Sequence, residues 1–206
     1  RFIYQRQVGE TDVPAKFVAE YVACEFGTWR EEVLGTGYSY GEISQLNRFY
    51  YARPAAGGVR ELVRVDLATG RGEPVGIRGG VRPLSGMTIS PDDRYLAYGV
   101  VLGYDPQRFA IEVADLHTGE RRIVCEDPDI CNPHAQIDPG RGEVVLVQHN
   151  RGCRFNPDGT RVRLLGPEGC TVFAARLDDG RITRFRVGPP HTPSLTGHQD
   201  WVGRTG

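Results

Sequence analysis

The segment Asp66-Leu-Ala-Thr-Gly70 returns as Asp115-Leu-His-Thr-Gly119, an offset of 49 residues. A second signature, Ile89-Ser-Pro91-Asp, returns as Ile137-Asp-Pro139-Gly, an offset of 48. A third copy of the first turn, Leu177-Asp-Asp-Gly180, closes a longer unit in which Asn156-Pro-Asp-Gly159 marks an inserted hairpin. Asp, Pro and Gly at these places favour tight reversals. What lies between them alternates apolar with charged residues, as half-buried strands do. A period of 40 to 50 residues built from strands and turns, with no long helical pattern, is the signature of a β-propeller. The competing reading is a β-sandwich whose turns look alike by coincidence.

The repeats fall near residues 46 to 88, 89 to 136 and 137 to 197. Arg48 to Ala52 reads as a short aromatic strand, Arg60 to Leu67 as an alternating one, and Ile111 to Asp115 as a third. Residues 1 to 45 are less legible: Phe17 to Cys24 fits a strand or a short helix, and Gly35 to Gly41 reads as a loop. The expectation is all-β, a single propeller domain over residues 1–206. At this period it holds about four blades of a larger ring. The Gly197-His-Gln-Asp-Trp-Val run looks like the first strand of a further blade, so the chain is expected to be cut at both ends.

Charge narrows the class of partner. Lys+Arg is 25 against Asp+Glu 26, a net charge of -1, which argues against general nucleic-acid or membrane binding. Lys16 is the only lysine, so recognition of carboxylates or phosphates would fall to arginine forks, although a GC-rich genome produces the same bias. Five cysteines without a Cys-x-x-Cys pair indicate neither a disulfide framework nor a structural zinc site. Reduced, buried thiols and a cytoplasmic location are expected. No apolar run has transmembrane length and no signal peptide is visible, in a chain that begins at Arg1 without methionine.

Four of the five histidines, His134, His149, His191 and His198, fall after residue 130. His134 and Gln136 are two residues apart, so on one strand both would face the same way, into a channel, while Ile137 faces a core. The next strand, Glu143 to His149, delivers Gln148 and His149 at its end. Each has a plain alternative: a hydrogen-bonded strand histidine for His134, a backbone partner for Gln136, a strand cap for His149. His191 and His117 read as a loop residue and a solvated turn residue.

The turn-strand units resemble the propeller repeats of Tol-associated proteins. More specifically, His134-x-Gln136 before a Pro-Gly turn, the strand ending in Gln148-His149, and Gly197-His198-Gln-Asp-Trp201 resemble oligogalacturonate lyase over residues 85 to 203. That family is a seven-bladed propeller that uses a divalent metal, typically manganese, to cleave short uronate oligomers by β-elimination. The resemblance implies an acidic oligosaccharide substrate, catalytic roles for Arg108 and His134, substrate contacts from Gln136 and His149, and one metal ligand, His198. The family's His-Pro-Gln is His134-Ala-Gln136 here, with Pro133 on the other side, and its remaining metal ligands would fall beyond Gly206. Arg108 as a base would require a strongly cationic, desolvated pocket, because its ordinary pKa lies above about 12; otherwise it would only neutralise the substrate carboxylate. A non-catalytic binding or scaffold propeller is the alternative reading.

Overall fold

The computed structural model describes residues 1–10, 17–38, 41–56, 59–195 and 199–203. Among them there is no α-helix; every regular element is a strand. The fold is all-β, with antiparallel sheets of the propeller-blade kind, and it divides into two compact units, residues 1–82 and 83–206.

The first unit holds two sheets. One is three-stranded, in the order β1 (Phe2–Glu10), β2 (Phe17–Cys24), β3 (Glu31–Gly37). The other is four-stranded, in the order β4 (Glu42–Ile43), β5 (Arg48–Pro54), β6 (Arg60–Asp66), β7 (Gly72–Val75). Its core is aromatic, with Tyr21, Phe49 and Tyr51 packed ring to ring and Val63 and Val65 beneath them. This explains a departure from the sequence reading. Gly35 and Gly37 do not begin a loop; they lie in β3, because the aromatic core leaves no room for a Cβ there. A side chain at Gly35 would strike the Tyr51 ring, and one at Gly37 would lie 2.8 Å from the Tyr21 hydroxyl. Phe17 to Cys24 is a strand.

The second unit contains one two-stranded sheet and two four-stranded sheets. One has the order β11 (Arg121–Asp127), β10 (Gln107–Asp115), β9 (Tyr95–Tyr104), β8 (Met87–Ile89). The other has the order β12 (Gln136–Ile137), β13 (Val144–Asn150), β16 (Cys170–Arg176), β17 (Ile182–Arg184). Between β13 and β16 the chain inserts a hairpin, β14 (Arg154–Phe155) and β15 (Arg161–Arg163), turned at Gly159 with φ 85° as the Asn-Pro-Asp-Gly run leads one to expect. Leu96 to Val100 are buried without a break, so both faces of β9 are covered. Phe109, Ile111, Val145, Val147 and Phe173 join one core.

The repeated turns are chemically the same. In the first, Asp66 Oδ1 accepts from the backbone N–H of Ala68 and Thr69, each at 2.9 Å, and Gly70 closes the turn onto the Asp66 carbonyl with φ 71°. In the second, Asp115 Oδ1 accepts from His117 and Thr118, and Gly119 closes with φ 74°. All five cysteines are buried and free. Among the described residues no helix is long and apolar enough to cross a membrane.

Candidate functional site

Antiparallel pairing gathers the ends of several strands at one end of the second unit. Gln107 pairs with Tyr104, and Phe109 with Asp127, so the β9–β10 turn and the end of β11 lie together. The segment from Pro128 to Ala135 then leads back to β12, the first strand of the next sheet. It is held to β13 by Asn150 N–H donating to the Asp129 carbonyl (2.8 Å) and Gln148 N–H donating to the Pro133 carbonyl (2.7 Å).

His134 sits in this segment rather than on a strand. Its φ is 42°, in the left-handed region, and β12 begins only at Gln136. The shared-face argument for His134 and Gln136 therefore does not apply. His is among the residues that tolerate this region, and such conformations concentrate at ligand sites. Asn132 Nδ2 stands 2.9 Å from His134 Nε2; an amide NH2 can only donate, so Nε2 is the acceptor.

Three hydrogen bonds connect this segment to residues 199–201. Gln136 Nε2 donates to the Gln199 carbonyl (2.7 Å), Gln199 Nε2 to the His134 carbonyl (3.3 Å), and Trp201 Nε1 to the Gln136 carbonyl (3.2 Å). Gln136 Oε1 is buried and has no hydrogen-bond partner among the described residues. It is an oxygen donor of the type a hard divalent cation takes. His198 lies outside the described residues, so its position relative to that oxygen is not described.

His149 is elsewhere. Gln136 is in register with Leu146, so it shares a face with Gln148 and Asn150, whereas His149 points from the opposite face of β13. There it is buried, with Nε2 3.0 Å from Asp127 Oδ1 and 3.9 Å from Asp129 Oδ2, and its ring meets Phe173 edge-on at 5.8 Å. Burial raises the Asp127 carboxyl, but the hydrogen bonds from His149 and the Asp129 N–H outweigh it and hold the group below the usual carboxylate range. Asp127, Asp129 and His149 offer donor atoms within 4.8 Å of one another. A metal-bound histidine normally gives its other ring N–H to an acceptor, and His149 Nδ1 is buried with no hydrogen-bond partner among the described residues. The arrangement is that of a hydrogen bond fastening the end of β11 to β13. The Asp partners were not singled out from sequence; the only trace of them is the Asp127-Pro-Asp129 run.

Arg108 is also separate. It is exposed on β10 and forks onto Glu126, with Nε to Oε1 2.6 Å and Nη2 to Oε2 3.0 Å. The Glu126 hydrogen bond pushes the guanidinium pKa upward. The pocket expected for an arginine base is cationic and desolvated; this environment is anionic and wet. His117 and His191 are exposed, as expected.

No family model matches the sequence, and no curated protein matches it. Among solved structures, the fold is similar to an oligogalacturonate lyase in complex with manganese, at 18% identity over 82% of this chain and 48% of that one, with TM-score 0.53. It is also similar to a TolB-like protein of Agrobacterium tumefaciens, at 12% identity over 82% of this chain and 59% of that one, with TM-score 0.51. At these identities the likeness establishes the propeller fold. The chain spans 48% and 59% of the lengths of these two proteins.

Proposed function

We propose that this chain is part of a β-propeller that binds short acidic oligosaccharides and cleaves them by β-elimination, in the manner of oligogalacturonate lyase. The observation that carries the reading is the contact between residues 134–136 and 199–201. These two stretches, far apart in sequence, resemble the lyase motifs independently, and three hydrogen bonds bring them together. Elimination from a uronate removes the proton beside the carboxylate, so charge must be stabilised there. A divalent cation such as manganese, held by His198 with ligands supplied from outside this chain, would provide that stabilisation when bound. His134 and Gln136 would orient the sugar, the left-handed backbone at His134 presenting its ring beside the inner strand.

A non-catalytic binding propeller of the Tol-associated kind is the second reading. It is favoured by Arg108, whose fork is already taken by Glu126. The test uses the whole protein with manganese and oligogalacturonate, following the absorbance of the unsaturated product. The lyase reading expects cleavage, loss of about 100-fold or more in turnover for His134→Ala, and lower metal content for His198→Ala. Binding by calorimetry without cleavage would leave the scaffold reading standing.

A further inference from the structure

Arginines on the strands of this protein typically meet carboxylates. Arg53 faces Glu61 across β5 and β6, Arg64 faces Glu73 across β6 and β7, and Arg121 pairs with Glu112 across β11 and β10. The inserted hairpin breaks this pattern. Arg154 on β14 is directly in register with Arg163 on β15 and both are exposed; Arg163 Nε donates to the Gly152 carbonyl at 2.9 Å, and neither arginine makes an ion pair among the described residues. Arg161, also exposed, begins the same strand and is in register with Phe155. Among the described residues the carboxylates do not compensate, since Asp158 accepts from the Thr160 N–H in the turn and Glu168 forms no ion pair with these arginines. Like charges directly opposite on paired strands are destabilising. A hairpin that keeps them there is suited to a ligand that neutralises them.

The hairpin is firmly placed. Phe155 packs on Tyr104 (5.5 Å) and Phe109 (5.4 Å), and its N–H donates to Gln107 Oε1 at 2.9 Å. Gln107 Nε2 in turn donates to the carbonyls of Pro128 (2.7 Å) and Cys153 (3.2 Å). The base of the hairpin is thus tied to the segment that carries His134, at the same end of the second unit. A register shift separates Arg154 from Phe155, and across it Arg154 and Arg163 are exposed to solvent while Phe155 is half-buried against the aromatic rings.

We infer that the β14–β15 hairpin is an anion-binding arm, on which Arg154 and Arg163 grip the carboxylates of an acidic oligosaccharide entering the His134 region. The inference rests on the acidic-oligosaccharide reading above. Directly opposite positions lie roughly 5 Å apart at Cβ, so the Arg154 fork and the Nη groups of Arg163, whose Nε is held by Gly152, reach one carboxylate or neighbouring ones. The net charge of -1 leaves the protein without a general attraction to polyanions, so a local arm is the means by which one is held.

The experiment is calorimetric titration of the whole protein with oligogalacturonate at low and high salt, comparing wild type, Arg154→Gln/Arg163→Gln, and Arg181→Gln/Arg186→Gln as a charge-matched control at two exposed positions on either side of β17. The expected result is a loss of about tenfold in affinity for the double variant, from two exposed charge contacts, with a weaker salt dependence and no change for the control. Arg154→Lys/Arg163→Lys should recover part of the affinity, since it restores charge without the fork. Thermal melts of all variants should match the wild type, because the altered side chains are exposed. Equal binding by wild type and double variant overturns the arm while leaving the substrate reading intact. A wild-type protein that binds no uronate, or prefers a single-stranded oligonucleotide, overturns both.

Discussion

Asp127 holds its place through a buried imidazole on one side and a backbone N–H on the other. Its carboxyl is depressed in the folded protein, the hydrogen bond from His149 and that from Asp129 N–H outweighing a desolvation that acts the other way. A depressed acid contributes stability above its unfolded pKa of about 4, and that contribution is lost as pH falls toward the folded value. Asp127→Asn should therefore lower stability at neutral pH by about 1–2 kcal/mol and flatten the acid limb of the stability profile below about pH 4. Urea unfolding of both proteins across pH 3 to 7 measures this; parallel profiles would mean that Asp127 contributes no linkage. The same residues show what the sequence concealed. His149 was visible as a candidate, but its partners come from a different strand, and only the register of β13 decides which face it takes. His134 and Gln136 were legible as a pair of interest from their spacing alone. The left-handed turn at His134 was not, because nothing in His-Ala-Gln specifies φ. Arg108 likewise carried no sign of Glu126, which lies 18 positions away on a neighbouring strand.

At the scale of elements, turns were the most legible features and inner strands the least. The Asp-Leu-x-Thr-Gly turns announce themselves because their side-chain and glycine requirements are local. The sheets spanning 42–75, 87–127 and 136–184 follow the expected repeats, but β4 and β12 are two residues long and begin ahead of the frame that the turns suggest. Such short strands carry too few residues for a periodic signal. Glycines inside strands misled for a similar reason: Gly35 and Gly37 are dictated by rings that approach from β2 and β5. Gly99 on β9 is the equivalent position beside the candidate site. A Cβ there would lie 2.5 Å from Pro133 Cγ, and the Gly99 carbonyl accepts from Leu84 N–H at 2.7 Å. Gly99→Ala must push Pro133, and His134 with it, away from β9. The expected cost is about 1–3 kcal/mol of stability, as for overpacking elsewhere, together with weakened oligosaccharide binding. Thermal melts and calorimetry of the variant check both. Full stability with unchanged binding would show that the segment relaxes freely.

For the whole molecule, the repeat period identified the propeller fold because it reflects a unit that must recur, whatever residues fill it. The site is less legible at this scale, since its chemistry depends on loops that the repeat does not constrain. The first sheet has three strands, and β1, at nine residues, is one of its edges. A long edge strand offers a row of unpaired backbone groups to another chain, and charged side chains are the usual protection. Val8 on this edge is 50% exposed. With a net charge of -1 and a pI near 6.6, the 206-residue chain has little charge repulsion to oppose edge-to-edge pairing near neutrality. The isolated chain should therefore associate in a concentration-dependent way, most strongly near its pI and less at pH about 9, where its net negative charge grows. Val8→Lys places a cation on the edge and should reduce association at a given pH while leaving the far-ultraviolet circular dichroism of a β protein unchanged. Sedimentation velocity over a range of concentrations distinguishes the outcomes. Association that persists undiminished in Val8→Lys would move the self-interacting surface away from β1. A monomer at every concentration and pH would mean that this edge is already protected.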